Sequence, residues 1–223
     1  MIKKQYYCKI TKNEDKNRLI HMPKRINKIV FATSSPSRKK MIKEIGNIGI
    51  KFLFKPHKTN EEEVKKNLLL KKNNAKQITK ILAKKKSLSI KKNKNIIVGS
   101  DTLVEVGGIT IDKAETLNDA FKKIKMLSGK KHHIFTSVYM SQNNKKIWSH
   151  TERTSVSVRK LSNSEIKNYI KNNANVVLNT AGCYQAEKMG PTIFKKIEGD
   201  FYNVLGFPII PFLLFLKKFK HYK

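Results

Sequence analysis

Residues 29–40 read Ile29-Val30-Phe31-Ala32-Thr33-Ser34-Ser35-Pro36-Ser37-Arg38-Lys39-Lys40. The first four are apolar and rich in β-formers, which predicts a short buried strand. Thr33-Ser34-Ser35-Pro36 then reads as a turn and helix start: serine caps exposed N–H groups, and proline fits the first turn, where its missing donor costs nothing. Met41, Ile42 and Ile45 recur at helical spacing before Gly46. A strand that feeds a helix through a polar turn is the opening of an α/β architecture.

The same alternation continues outward. Ile48 to Phe54 predicts a second strand, and the charged residues 57–73 read as containing a loop. Ile78, Ile81 and Leu82 mark a helix that runs into Lys84-Lys85-Lys86. Ile96-Ile97-Val98-Gly99-Ser100-Asp101 reads as a buried strand with a polar tip, and a strand pair flanks Gly107-Gly108. Ala120, Phe121, Ile124 and Leu127 form a helix face closed by Ser128-Gly129. Strands are predicted over 133–140 and 146–158, joined by Ser141-Gln142-Asn143-Asn144. Ser162 and Glu165 form a capping box for a helix bearing Ile166, Tyr169 and Ile170. No internal repeat is present. Residues 1–26 are polar and basic, without the apolar core of a secretory signal; Glu14 and Asp15 also speak against a transit peptide. They read as a disordered extension before a domain over 27–223.

The chain has 223 residues, 39% of them apolar, enough for one large domain or two small lobes around a real core. Its longest apolar run, Phe207 to Leu216, is ten residues and holds Pro208 and Pro211. A spanning helix needs about twenty, so an integral membrane protein is excluded, as the mean hydropathy of −0.50 agrees. Two cysteines, Cys8 and Cys183, make no disulfide framework and imply a reducing compartment, the cytoplasm. The net charge is +32, but only five of the 48 basic residues are Arg, which leaves 43 Lys. Surfaces that read nucleic acid draw on the bidentate Arg fork. Here lysines such as Lys65, Lys66 and Lys94 read as solvated charges that attract polyanions weakly, and no specific nucleic-acid partner is expected.

Three places could carry chemistry. Ser34, Ser35, Arg38 and Lys39 at a helix N-terminus offer donors and cations for a phosphate, or simply cap a basic helix. Asp101, at the tip of an apolar strand, could hold Mg²⁺ or activate water, or could cap a turn. Glu61-Glu62-Glu63 could supply a metal ligand or a solvated helix cap. His132 and His133 are neighbours on a strand and should face opposite ways. No Gly-x-Ser-x-Gly elbow or Cys-His pattern points to serine or thiol hydrolysis.

These segments stand in a specific order: Ala32-Thr33-Ser34-Ser35-Pro36-Ser37-Arg38-Lys39, Leu82-Ala83-Lys84-Lys85-Lys86-Ser87, Gly99-Ser100-Asp101-Thr102, Leu127-Ser128-Gly129-Lys130-Lys131-His132, Thr180-Ala181-Gly182-Cys183-Tyr184 and Ile197 to Pro208. In that order and spacing the chain, from Lys28 to about Leu216, resembles the Maf family of nucleoside triphosphate pyrophosphatases. The resemblance implies a two-lobed α/β fold with a central mixed sheet, a nucleotide cleft between the lobes and a homodimer. It also implies hydrolysis of a nucleoside triphosphate to the monophosphate and pyrophosphate with a divalent cation, Mg²⁺ or Mn²⁺.

Carried over by position, Asp101 becomes the central carboxylate, as metal ligand or base, and Glu61 or Glu62 shares the metal. Lys86 and Lys113 neutralise phosphate charge beside Arg38, Lys39 and the Ser34/Ser35 cradle. Departures are visible too. Asp112-Lys113-Ala114 stands where the family has Gly-Lys-Pro, Ser87 follows Lys86 where Ala is usual, and Asn179-Thr180 replaces Asp-Lys. Glu187 replaces a Gln and is similar to the branch acting on 7-methyl-GTP, UTP and CTP. Thr102 and Gly199-Asp200-Phe201-Tyr202 are instead similar to the dTTP/UTP branch. The competing class is a non-enzymatic basic protein that binds a polyanionic partner, which would have no need of Asp101 beside Glu61 or Glu62.

Overall fold

A computed structural model describes residues 26–46, 48–90 and 95–218. The expected extension over 1–26 lies outside the described residues except for Ile26, which is buried against the core. Seven strands form one mixed sheet: β1 (Lys28–Ala32), β2 (Lys51–Lys55), β3 (Ile96–Val106), β4 (Ile109–Ile111), β5 (Lys131–Gln142), β6 (Lys145–Val158) and β7 (Phe194–Glu198). Their order is β2-β1-β3-β5-β6-β7, with β4 paired to β3. The β2-β1-β3 side is parallel and the remainder antiparallel. The helices are α1 (Pro36–Lys43), α2 (Glu61–Leu70), α3 (Ala75–Leu88), α4 (Leu117–Leu127), α5 (Asn163–Asn172), α6 (Ala174–Asn179), α7 (Phe201–Val204) and α8 (Ile209–Leu216). This is the α/β arrangement that the alternation of strands and helices predicted, with the mixed sheet that the resemblance implied.

The two-residue period of β3 organises the molecule. Ile96 and Val98 enter one apolar cluster with Phe31, Phe207 and Phe212, while Val104 and Val106 enter a second with Ile124, Val156 and Ile166. All four share one sheet face, because alternate residues of a strand do. Between them that face carries Ser100 and Thr102, so the core divides in two across a polar seam. The opposite face meets α3, where Ile78 and Leu82 pack on Leu103.

Local rules explain most elements. Ser35 caps α1 by accepting from Arg38 N, with Pro36 in the first turn. The β5–β6 turn places Asn143 and Asn144 at φ 49° and 62°, the left-handed pair a two-residue hairpin requires. The Ser162/Glu165 capping box is formed. The loop expected within 57–73 is mostly helix α2. It shows no buried residue, so its sequence has no apolar stripe to read. Asn60 caps it by accepting from Glu63 N, and three glutamates in the first turn complement the helix dipole. The prolines of 207–216 do not prevent α8, because Pro208 stands at its N-cap and Pro211 within its first turn.

Candidate active site

β1 stops pairing with β3 at Ala32↔Gly99, so Asp101 lies two residues beyond the carboxyl end of β1. That is where parallel α/β sheets open a crevice. A cleft of about 240 Å³ occupies it. The backbone of α3 comes close to β3 here: a Cβ on Gly99 would stand 2.3 Å from Ala83 O and 2.4 Å from Ser87 N. Only glycine permits that approach, which delivers Lys86 to Asp101.

The Lys86 ammonium sits 2.6 Å from Asp101 Oδ1 and 2.7 Å from Glu61 Oε2, with the lysine and aspartate side chains 5% and 6% exposed. Glu61 Oε1 meets His57 Nε2 at 2.7 Å. Burial raises the Asp101 carboxyl above its ordinary range, against the pull of Lys86. Burial acts on Glu61 in the same sense but is outweighed by His57 and Lys86, which bring it to about 2. Asp101 Oδ2 is buried with no hydrogen-bond partner among the described residues.

Arg38 closes the other wall. Its Nε donates to Gly206 O at 2.9 Å, and its two terminal nitrogens donate to Thr33 Oγ1 and Thr102 Oγ1, both at 3.3 Å. Burial lowers its pKa while Asp101 and Glu61 raise it; guanidinium stays charged throughout. Thr102 Oγ1 is also 3.0 Å from Thr136 Oγ1 and 3.4 Å from Gly206 O, so its hydroxyl is committed to this network. The backbone part of the phosphate cradle is thinner than a helix start suggests. Pro36 has no N–H, and Arg38 N is spent on Ser35 Oγ. The Ser34 and Ser35 hydroxyls and the neighbouring cations supply further donors beside Ser37, which also lines the cleft.

Ser34, Ser35, Arg38, Glu61, Lys86, Asp101, Thr102, Lys113 and Glu187 all line this one cleft. Lys39 is half-buried and Glu62 exposed, and among the described residues neither lines it. The sequence left Glu61 and Glu62 as alternatives; the structure brings Glu61 into the cleft. Glu187 is exposed at the cleft wall and makes no ion pair with Lys188 among the described residues.

Three contributors escaped the sequence reading. Thr33 supports Arg38 and also accepts from Ser35 N at 3.2 Å. His57 supports Glu61, and nothing in its local sequence signals this. Lys65, read as a solvated charge, has a side chain only 13% exposed and pairs with Asp112. Burial lowers Lys65 to about 8, with Asp101 and Glu61 opposing. Its four-residue spacing from Glu61 was the available signal, since both fall on one helix face. Lys94 lies outside the described residues. His132 and His133 do face opposite ways: His132 is fully buried with its Nε2 2.6 Å from Tyr184 Oη, while His133 Nδ1 is 3.0 Å from Ser155 Oγ.

The model of the family described as Maf-like protein matches residues 28–219. A 7-methyl-GTP pyrophosphatase of Bartonella henselae is 31% identical over 194 residues, 86% of this chain and 96% of its own. A nucleoside triphosphate pyrophosphatase of Pelagibacter ubique is 31% identical over 88% of this chain and 97% of its own. A dTTP/UTP pyrophosphatase of Thermosipho melanesiensis is 36% identical over 81% and 92%. The matched span takes in both halves of the core and every residue of the cleft, and the chain belongs to the Maf-like protein family.

Proposed function

We propose that this chain hydrolyses nucleoside triphosphates to the monophosphate and pyrophosphate in the cleft around Asp101. The observation that carries this reading is the meeting of Arg38, Lys86 and Lys113 with Asp101 and Glu61 in one crevice. A water attacks the α-phosphorus, the bond from that phosphorus to the oxygen bridging to the β-phosphate breaks, and pyrophosphate leaves. Asp101, with its carboxyl raised by burial, orients and deprotonates that water. Arg38, Lys86 and Lys113 stabilise the charge that grows on the leaving pyrophosphate, and the Ser34 and Ser35 hydroxyls hold non-bridging oxygens.

The donor set also fits a divalent cation. The orphaned Oδ2 of Asp101 and the carboxylate of Glu61 are hard oxygen ligands, the kind Mg²⁺ and Mn²⁺ take. Glu61 would hold the ion, with Asp101 Oδ2 as second ligand where Asp101 serves as metal ligand rather than as base, and the ion would supply charge neutralisation on the phosphates when bound.

For the base, the reading favours 7-methyl-GTP, with UTP or CTP as companions and dTTP weaker. Glu187 is exposed at the cleft wall, whereas the Thr102 hydroxyl is engaged by Arg38, Thr136 and Gly206. An ionised carboxylate only accepts hydrogen bonds; 7-methylguanine presents N1–H and N2–H donors and a positive ring. The same reading takes the protein as a cytoplasmic homodimer that clears modified or surplus nucleotides. Ile210 and Leu214, four residues apart and exposed on α8, offer a contact face.

Pyrophosphate release from each triphosphate with Mg²⁺ or Mn²⁺ tests the proposal. Turnover on at least one nucleotide is expected. A folded protein that turns over none would overturn it in favour of a polyanion binder.

A further inference from the structure

We infer that Lys65 and Asp112 form a latch that positions Glu61 in the cleft. The two ends of this ion pair are held very differently. Asp112 stands between Ile111 and Ala114, both buried in the second apolar cluster, so its backbone is fixed to the core. Lys65 belongs to α2, which has no buried residue and rests on half-buried Val64 and Leu68. Leu69 and Leu70 at the end of α2 are exposed. Packing alone therefore holds this helix weakly, yet it carries the carboxylate that shares Lys86 with Asp101.

Lys65 follows Glu61 by four residues, one turn along the same face. Its pairing with Asp112 draws that face toward the sheet and fixes the helix near its first turn. The Asp112 side chain is 55% exposed, so the pair contributes little to global stability. Its effect is local: it sets where Glu61 stands. Lys65 and Asp112 are positioning residues that act through Glu61, and neither lines the cleft among the described residues.

This inference rests on the pyrophosphatase reading for its kinetic consequence but not for its structural one, and two measurements separate them. Amide hydrogen exchange is compared for wild type, Lys65→Met, Asp112→Asn and Lys65→Arg. The latch requires faster exchange across 61–70 in the first two, wild-type behaviour in Lys65→Arg and little change in Tm. Unchanged exchange across α2 overturns the latch whatever the activity. On the best triphosphate, Lys65→Met should lower kcat/KM by about fivefold, the scale of coupling between neighbouring groups. In a Glu61→Gln background the same change should cost almost nothing. An equal loss in both backgrounds would show Lys65 acting directly on substrate and overturn its role through Glu61. If wild type turns over no nucleotide, the function falls and hydrogen exchange still decides the latch.

Discussion

Lys86 and Asp101 stand 2.6 Å apart, Nζ to Oδ1, in a place where neither side chain is more than 6% exposed. A buried ion pair is tolerated only when both charges have partners, and Glu61 supplies Lys86 with its second. Asp101 keeps one oxygen without a partner among the described residues. The carboxylate of Asp101 is thus buried and charge-balanced on one oxygen, with the other unpartnered among the described residues.

Asp101→Asn keeps the shape and removes the charge that water activation or metal binding needs. Turnover should fall by at least about 10²-fold, the scale of a lost general base. Steady-state pyrophosphate release, with circular dichroism to confirm folding, checks it. Near-normal turnover would remove Asp101 from the mechanism.

Gly99→Ala places a methyl group where Ala83 O and Ser87 N already stand. Helix α3 must shift outward, at a cost of about 1–3 kcal/mol, and Lys86 moves with it. Thermal unfolding should show the lost stability, and kcat should drop in the fraction that remains folded. An unchanged Tm would mean that α3 is not seated this closely on β3.

Glu61 ties stability to pH. Its folded carboxyl titrates near 2, against an ordinary value of 4.5. The folded state therefore holds this proton less tightly than the unfolded chain. The stabilisation is full above about pH 4.5 and is lost as pH falls toward 2. Glu198 and Glu165 are depressed in the same direction, so the wild-type curve alone mixes several groups. The difference in Tm between wild type and Glu61→Gln isolates Glu61 and should shrink across that window. A difference independent of pH would rule out the pairing of the Glu61 carboxylate with His57 and Lys86.

Glu187→Gln replaces an acceptor-only group by one that also donates. Loss of 7-methyl-GTP turnover with UTP and CTP little affected is the expected result. A uniform change across all triphosphates would take Glu187 out of base recognition.

The β1–turn–α1 unit, the β5–β6 hairpin and the α5 capping box were legible because each is specified by residues within a few positions of one another. Helix α2 was not, since Asn60 and three acidic residues hold it without an apolar stripe. Lys65 is one of 43 lysines along the chain, and only its pairing with Asp112, 47 residues away, sets it apart. Within Glu61-Glu62-Glu63 the chain offers three equal carboxylates. Which one enters the cleft depends on the rotational phase of α2 against the sheet.

The sequence by itself determined the alternation of strands and helices and the order of motifs that marks the family. It also determined the residue types able to handle a triphosphate. These follow from short-range periodicity, capping and chemical identity, all of which are written along the chain. Only the tertiary structure decided that Lys86 is shared by Asp101 and Glu61, that Thr102 is spent on Arg38 and that Glu62 stays in solvent. Those outcomes hang on how closely α3 packs over Gly99 and how α2 turns. Both are fixed by contacts between residues far apart in sequence, which no local pattern encodes.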